Sequence, residues 1–324
     1  MMIMTEFTAP TIADIRAAAA RIAPHARVTP VLGSRELDDR AGAKLFFKCE
    51  HLQRGGAFKF RGACNAVWSL SDDEASRGVV THSSGNHGAA LALAAATRGI
   101  PAHIVVPEGA VAAKLANIER AGGILHRCAA TLAAREETCA KVQQETGATL
   151  VHPYADARVM AGQGTIVLEL VQQVPDLDAI VVPIGGGGLA SGCASALRGL
   201  ASGARLIGAE PAGADDAYQS LRQGVRVTDV VPHTVCDGLR ATIGVPNFAL
   251  LSEHHVEVIT ANDDATLAAM RLVWAELKQT IEPSSAVALA ALLAQRKRFA
   301  GKRVGLVLSG GNVDLDAIPF DGAT

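Results

Sequence analysis

Four short segments of this 324-residue chain carry side chains whose types suggest joint chemistry. Lys59 stands between Phe58 and Phe60 in the Gly/Ala-rich stretch Gly55-Gly-Ala-Phe-Lys-Phe-Arg-Gly-Ala63. Flanking aromatics desolvate an ammonium and lower its pKa, as a carbonyl-condensing lysine requires, although most lysines are solvated surface charges. Ser83-Ser84-Gly85-Asn86-His87 opens a predicted helix, so it offers free N–H donors for a carboxylate, a hydroxyl at Ser84 and an amide at Asn86. Ser and Asn are equally the favoured ordinary N-caps, and His87 is a third cap candidate. Gly185, Gly186, Gly187 and Gly188 stand between a predicted strand and a helix, where bare backbone N–H groups make a nest for a phosphate. A merely tight turn needs one or two glycines, not four. No Lys-Ser/Thr follows, which argues against a triphosphate P-loop. Gly185-x-Gly187-x-x-Ala190 also fits a dinucleotide fingerprint, with Glu210 closing the next strand where a ribose-binding acid belongs. Ser309-Gly-Gly-Asn312 combines a hydroxyl, glycines and an amide, a composition that a plain turn shares.

A fifth segment, Glu210-Pro-Ala-Gly-Ala214-Asp-Asp216, sets two carboxylates and the Ala214 carbonyl on a short loop before a helix. Such hard oxygen donors suit Mg²⁺ or Ca²⁺, with Mn²⁺ a further candidate. The structural alternative is an acidic first helical turn, worth a few tenths of a kcal/mol.

The elements around these segments form a pattern. From about residue 75, short β-branched runs alternate with Ala-rich helical stretches. Gly78–Thr81 precedes a predicted helix over 86–97, His103–Pro107 one over 111–121, and Gly123–His126 one over 132–146. Thr149–His152, Ala179–Pro183 (before a helix over 189–200), Arg205–Glu210 and Val304–Leu308 follow, and His254-His255 reads as a strand start. Runs without polar alternation, joined by crossover helices, indicate mostly parallel α/β sheets. Ligands bind such sheets beyond the carboxyl ends of the strands, where the glycine motifs stand. The spacing gives two clusters of βα units, about 75–150 and 151–324, which suggests two sheets, with the first 70 residues joining one of them.

Composition narrows the function classes. With 49% hydrophobic and 19% charged residues the chain is globular. A formal net charge of -2 argues against nucleic acid as principal partner. No apolar stretch approaches the roughly 20 residues of a membrane span, and Met1–Glu6 lacks a basic n-region, so a cytoplasmic protein is expected. Cys49, Cys64, Cys128, Cys139, Cys193 and Cys236 show no C-x-x-C spacing and read as small buried side chains.

Taken together, the motifs resemble the fold-type II pyridoxal-phosphate enzymes, the tryptophan synthase β-like fold, and within them the threonine/serine ammonia-lyase and serine racemase group. The likeness runs from Phe46-Phe-Lys-Cys-Glu50 to Ser309-Gly-Gly-Asn312 and includes Gly162-Gln-Gly-Thr165, Asp237-Gly-Leu-Arg240 and Ile281-Glu-Pro-Ser284. It implies that Lys59 is the Schiff-base lysine, that Gly185–Gly188 hold the cofactor phosphate, and that Phe58 packs on the cofactor ring. It further implies that Asn86 faces the pyridine 3′-oxygen and Ser309 the ring nitrogen. Substrate carboxylate would lie on Ser83, Ser84, Gly85, Asn86 and His87, with Arg135 nearby. Lys59 and Ser84 would serve the two faces of Cα, and the cation ligands would be Glu210, Ala214 and Asp216. A hydroxyl at the ring nitrogen disfavours a long-lived carbanion and favours expulsion of a β-hydroxyl.

The resemblance therefore implies a homodimeric dehydratase of β-hydroxy amino acids, by default L-serine and L-threonine. Serine racemisation is the nearest alternative, and a 3-hydroxyaspartate or phenylserine dehydratase the next. Gly56-Ala57-Phe58-Lys59 departs from the family's frequent Gly-Ser-Phe-Lys, which bears on substrate preference. A nicotinamide-binding oxidoreductase, or a catalytically silent binding protein, is the reading from a different class.

Overall fold

The computed structural model describes residues 7–110 and 112–314. Among the described residues ten strands form two sheets: β1 (Val31–Leu32), β2 (Lys44–Lys48), β3 (Val79–Thr81), β4 (Ala102–Pro107), β5 (Ile124–Cys128), β6 (Thr149–Leu150), β7 (Ala179–Pro183), β8 (Arg205–Pro211), β9 (Glu257–Ala261) and β10 (Arg303–Val307). The larger sheet runs β1-β2-β10-β7-β8-β9 and is parallel except for the β1/β2 pair. The smaller runs β5-β4-β3-β6, all parallel. The chain is thus an α/β protein with two mostly parallel sheets.

The apolar runs explain this arrangement. Every residue of β7 is buried. Its alternate side chains feed two cores, Ala179 and Val181 into one and Ile180 and Val182 into the other. A third core joins Val79, Ile104 and Val106 of the smaller sheet to Phe60, Ala63, Cys64 and Val67. Those last four lie on the Lys59–Trp68 helix, so the lysine-bearing helix packs against the smaller sheet. On its other side that helix crosses the Ala157–Gln173 helix at a glycine contact. A Cβ built on Gly162 would lie 2.6 Å from the Gly62 Cα, which accounts for a glycine in the Gly162-Gln-Gly-Thr165 motif.

Most predicted elements recur with ends displaced by a residue or two, and the helix Leu132–Thr146 matches at both ends. The expected helix start at Val111 lies outside the described residues, as does Met1–Glu6; the helix is described over Ala112–Arg120. His254 and His255 do not begin a strand. They form the turn after the Val245–Glu253 helix, with His255 at φ 50, and β9 starts at Glu257. All six cysteines are free and buried. Among the described residues no helix is long and apolar enough to cross a membrane.

Candidate active site

A cavity of about 620 Å³ opens between the sheets, and Lys59, Ser83–His87, Gly185–Gly188 and Ser309 all line it. Backbone pairing sets two of these groups side by side. The Phe58 N–H donates to the Ser309 carbonyl at 2.9 Å, Ala57 bridges Gly310, and the Gly311 N–H donates to the Gly56 carbonyl at 2.9 Å. The segment before Lys59 is thereby fastened beyond the carboxyl end of β10. Two residues on, Arg61 anchors the same helix from beneath. Its guanidinium donates to Glu50 at 2.7 and 2.8 Å and to Glu169 at 2.7 and 2.8 Å, and Lys48 completes the buried network at 2.6 Å from Glu169.

Lys59 donates from Nζ to the Pro153 carbonyl at 2.9 Å, and its ammonium lies 5.2 Å from the Phe58 ring centroid. Burial pushes its pKa down to about 8, against a smaller opposing pull from Glu282. The Asn86–Arg98 helix begins behind Gly85 with no side-chain cap, leaving its first N–H groups to face the cavity. Asn86 Nδ2 donates to both oxygens of Glu282, at 3.0 and 3.1 Å, and Asn86 Oδ1 accepts from Asn312 at 3.0 Å. His87 does not cap the helix. It turns inward, its Nε2 3.3 Å from the Val151 carbonyl, and burial holds it well below the usual imidazole range. Arg135 reaches the cavity from the Leu132–Thr146 helix, its buried Nε without a hydrogen-bond partner among the described residues.

The tetraglycine is a second uncapped helix start, with Gly187 at φ 92 as the residue before the Gly188–Gly199 helix. Tyr154 backs it closely. A Cβ on Gly186 would lie 2.5 Å from the Tyr154 ring, and one on Gly188 2.9 Å from the Tyr154 backbone. The description "Pyridoxal-phosphate dependent enzyme" belongs to the family that matches residues 22–310. This chain belongs to that family.

Its relatives are similar over nearly their whole length. A β-hydroxyaspartate dehydratase of Paracoccus denitrificans is 50% identical over 312 residues, covering 96% of this chain and 99% of that protein. A serine racemase of Arabidopsis thaliana is 50% identical over 312 residues, covering 95% and 94%. The solved structure of maize serine racemase superposes with a TM-score of 0.93 at 46% identity, covering 95% of each chain.

The residues present fit pyridoxal phosphate. The cavity offers a desolvated amine at Lys59, a Cβ-free anion nest at Gly185–Gly188, and a hydroxyl at the nearly buried Ser309. The dinucleotide reading fails on geometry. Glu210 is not among the cavity-lining residues; its carboxylate accepts from the Ala217 and Tyr218 N–H groups at 3.0 and 2.8 Å. Burial pushes Glu210 up to about 9, with the Asp216 carboxylate adding to the rise. Asp216 is itself buried and accepts from the Ile243 N–H at 2.7 Å, and Ala214 is buried on the intervening turn. Among the described residues no group of three or more His, Cys, Asp or Glu side chains is placed to hold a metal.

Pattern reading gave Glu282, Tyr154 and Lys114 no role at the site, although all three line the cavity. Glu282 lies in a motif that carries the family likeness, but nothing in its type or spacing says that it will hold Asn86. Tyr154 and Lys114 follow ordinary strand and helix patterns.

Proposed function

We propose that this chain is an α,β-eliminating dehydratase of β-hydroxy amino acids, with L-serine and L-threonine as default substrates, and that it converts them to a 2-oxo acid and ammonia. The observation that carries the reading is the single cavity lined by a desolvated Lys59 amine, an uncapped helix start and Ser309. Lys59, Phe58, Asn86, Gly185–Gly188 and Ser309 would hold the cofactor. When bound, pyridoxal phosphate supplies a conjugated electron sink that acidifies the substrate Cα–H bond.

The chain's residues then have separate tasks. Ser83–His87 receive the α-carboxylate at the free N–H groups of the Asn86 helix. Lys59, its pKa lowered by burial, takes the Cα proton when in its neutral form. The Cβ–O bond breaks and the hydroxyl leaves as water, taking up the proton that Lys59 received from Cα. The released enamine hydrolyses in solution. Ser84 stands on the other face as a proton donor to Cα, which gives racemisation of serine as a second activity.

Arg135 favours a further substrate. A cavity-facing guanidinium with a buried, unpartnered Nε suits a second carboxylate, as in 3-hydroxyaspartate. The buried Glu210–Asp216 pair, two carboxylates that burial pushes up together, supports a divalent-cation site with the Ala214 carbonyl. A cytoplasmic homodimer completes the proposal, as does movement of residues 75–150 as the unit that closes over substrate.

The test is a panel of L-serine, L-threonine, both diastereomers of 3-hydroxyaspartate, and phenylserine, scored for 2-oxo acid, ammonia and D-serine. The proposal expects 2-oxo acid and ammonia in equal amounts from at least one member, ranked by kcat/KM. A holoenzyme that releases neither from any of them would sink it. So would a colourless protein that binds NAD.

A further inference from the structure

An ion pair that no step above uses spans the cleft. Lys114 lies on the Ala112–Arg120 helix, which follows β4 of the smaller sheet, and Asp237 opens the short Asp237–Leu239 turn between β8 and β9 of the larger one. Their side chains are in direct contact, Nζ to Oδ2, and both line the cavity. The pair is only partly exposed, at 36% and 40%. The Asp237 turn is itself held: the Gly238 N–H donates to Ser284 Oγ at 2.9 Å. It also presses on the tetraglycine, because a Cβ on Gly185 would lie 2.9 Å from the Leu239 Cα. Lys114 therefore ties the sheet that carries Ser83–His87 to a turn packed directly on the first glycine of the anion nest. It also lies within electrostatic reach of Glu282, the carboxylate that holds Asn86.

We propose that Lys114 and Asp237 are positioning residues whose ion pair sets how closely the Ser83–His87 loop sits over the tetraglycine turn. Neither needs to touch a reacting atom. The pair acts as a latch across the cleft, and its loss lets the smaller sheet ride further from the larger. This rests on the reading of the cavity as the place where substrate is turned over, but the latch is also measurable without turnover. A partly exposed pair changes an equilibrium by up to about fivefold, so the effect is graded rather than all-or-none.

The experiment uses holoenzyme, with L-serine as substrate and amide hydrogen exchange as the second readout. Lys114→Met and Asp237→Asn should each speed exchange in 112–120 and 83–87 and raise KM by up to about fivefold, with kcat changed less. The charge-swapped double variant, Lys114→Asp with Asp237→Lys, should recover protection and KM together. About 0.5 M NaCl should weaken the wild-type protein toward the single variants and leave those variants nearly unchanged. A swap no better than either single variant overturns the latch, as does unaltered exchange in both singles. Because exchange is read without turnover, a holoenzyme inactive on L-serine counts against that substrate while the latch is still decided.

Discussion

The ε-amine of Lys59 donates to the carbonyl of Pro153 at 2.9 Å, and the next residue, Tyr154, supplies the ring that backs Gly186. One short segment after β6 thus touches both the amine and the anion nest. It is the physical link between two motifs that lie far apart in the chain.

The Lys59 environment predicts a pH dependence. Burial lowers its pKa from 10.5 to about 8, so the folded protein releases this proton before the unfolded chain does. The burial penalty acts fully below about 8 and fades as pH rises from there toward 10.5, so stability from this group increases with pH across that window. Capture of pyridoxal phosphate by apo-protein should accelerate as pH rises through about 8, because only the neutral amine condenses. A stopped-flow profile that is flat across that range counts against the assignment. Lys59→Ala should abolish both the visible absorbance of the holoenzyme and turnover.

Two glycine substitutions should separate cofactor from substrate. Gly186→Ala places a Cβ 2.5 Å from the Tyr154 ring, so it should weaken retention of pyridoxal phosphate by tenfold or more, read by absorbance after dialysis (on the order of the 1–3 kcal/mol cost of overpacking). Gly85 has φ -108 and nothing within 4 Å of an added Cβ, so Gly85→Ala should keep the cofactor. It should raise KM instead, since the new methyl occupies the carboxylate loop. Equal loss of cofactor in both variants would contradict the division.

Ser84→Ala should remove D-serine formation and spare pyruvate, measured on the same L-serine incubation. Only one of the two products needs a proton delivered to the second face of Cα. Joint disappearance of both products would show that the two-face assignment is wrong.

Chelation should lower thermal stability, and Mg²⁺, Ca²⁺ or Mn²⁺ should restore it. At a hundredfold excess over its dissociation constant a cation stabilises by about 2.7 kcal/mol. Asp216→Ala should leave the melting temperature insensitive to both treatments. A wild-type protein with the same melting temperature in chelator and in each cation argues against the site.

Arg61→Met should destabilise the protein by about 3–5 kcal/mol in urea denaturation, because Glu50 would stay buried without its ion-pair partner and the half-buried Glu169 would keep only Lys48. A loss under 1 kcal/mol would mean that the network relaxes more than its burial suggests.

The parallel sheets were legible because a strand buried on both faces leaves an unmistakable apolar run, as Ala179–Pro183 does. Gly185–Gly188 was legible because four consecutive glycines have few other uses. β1, β2 and β9 were harder to read. β1 has two residues, and β9 follows a turn whose two histidines mimic a strand start. The carboxylate on Asn86 was not legible at all, since Glu282 lies 196 positions away along the chain.

Local chemistry settled the menu: a lysine among aromatics, Cβ-free turns after strands, Ser and Asn at helix starts. These follow from residue type and short-range geometry, so the sequence alone determined them, along with the family they resemble. Only the tertiary structure decided which groups meet. Pro153 on Lys59, Tyr154 behind Gly186, Glu282 on Asn86 and Asp237 on Lys114 are contacts between distant segments. Their partners are chosen by how two sheets and their crossover helices pack, and no local pattern encodes that choice.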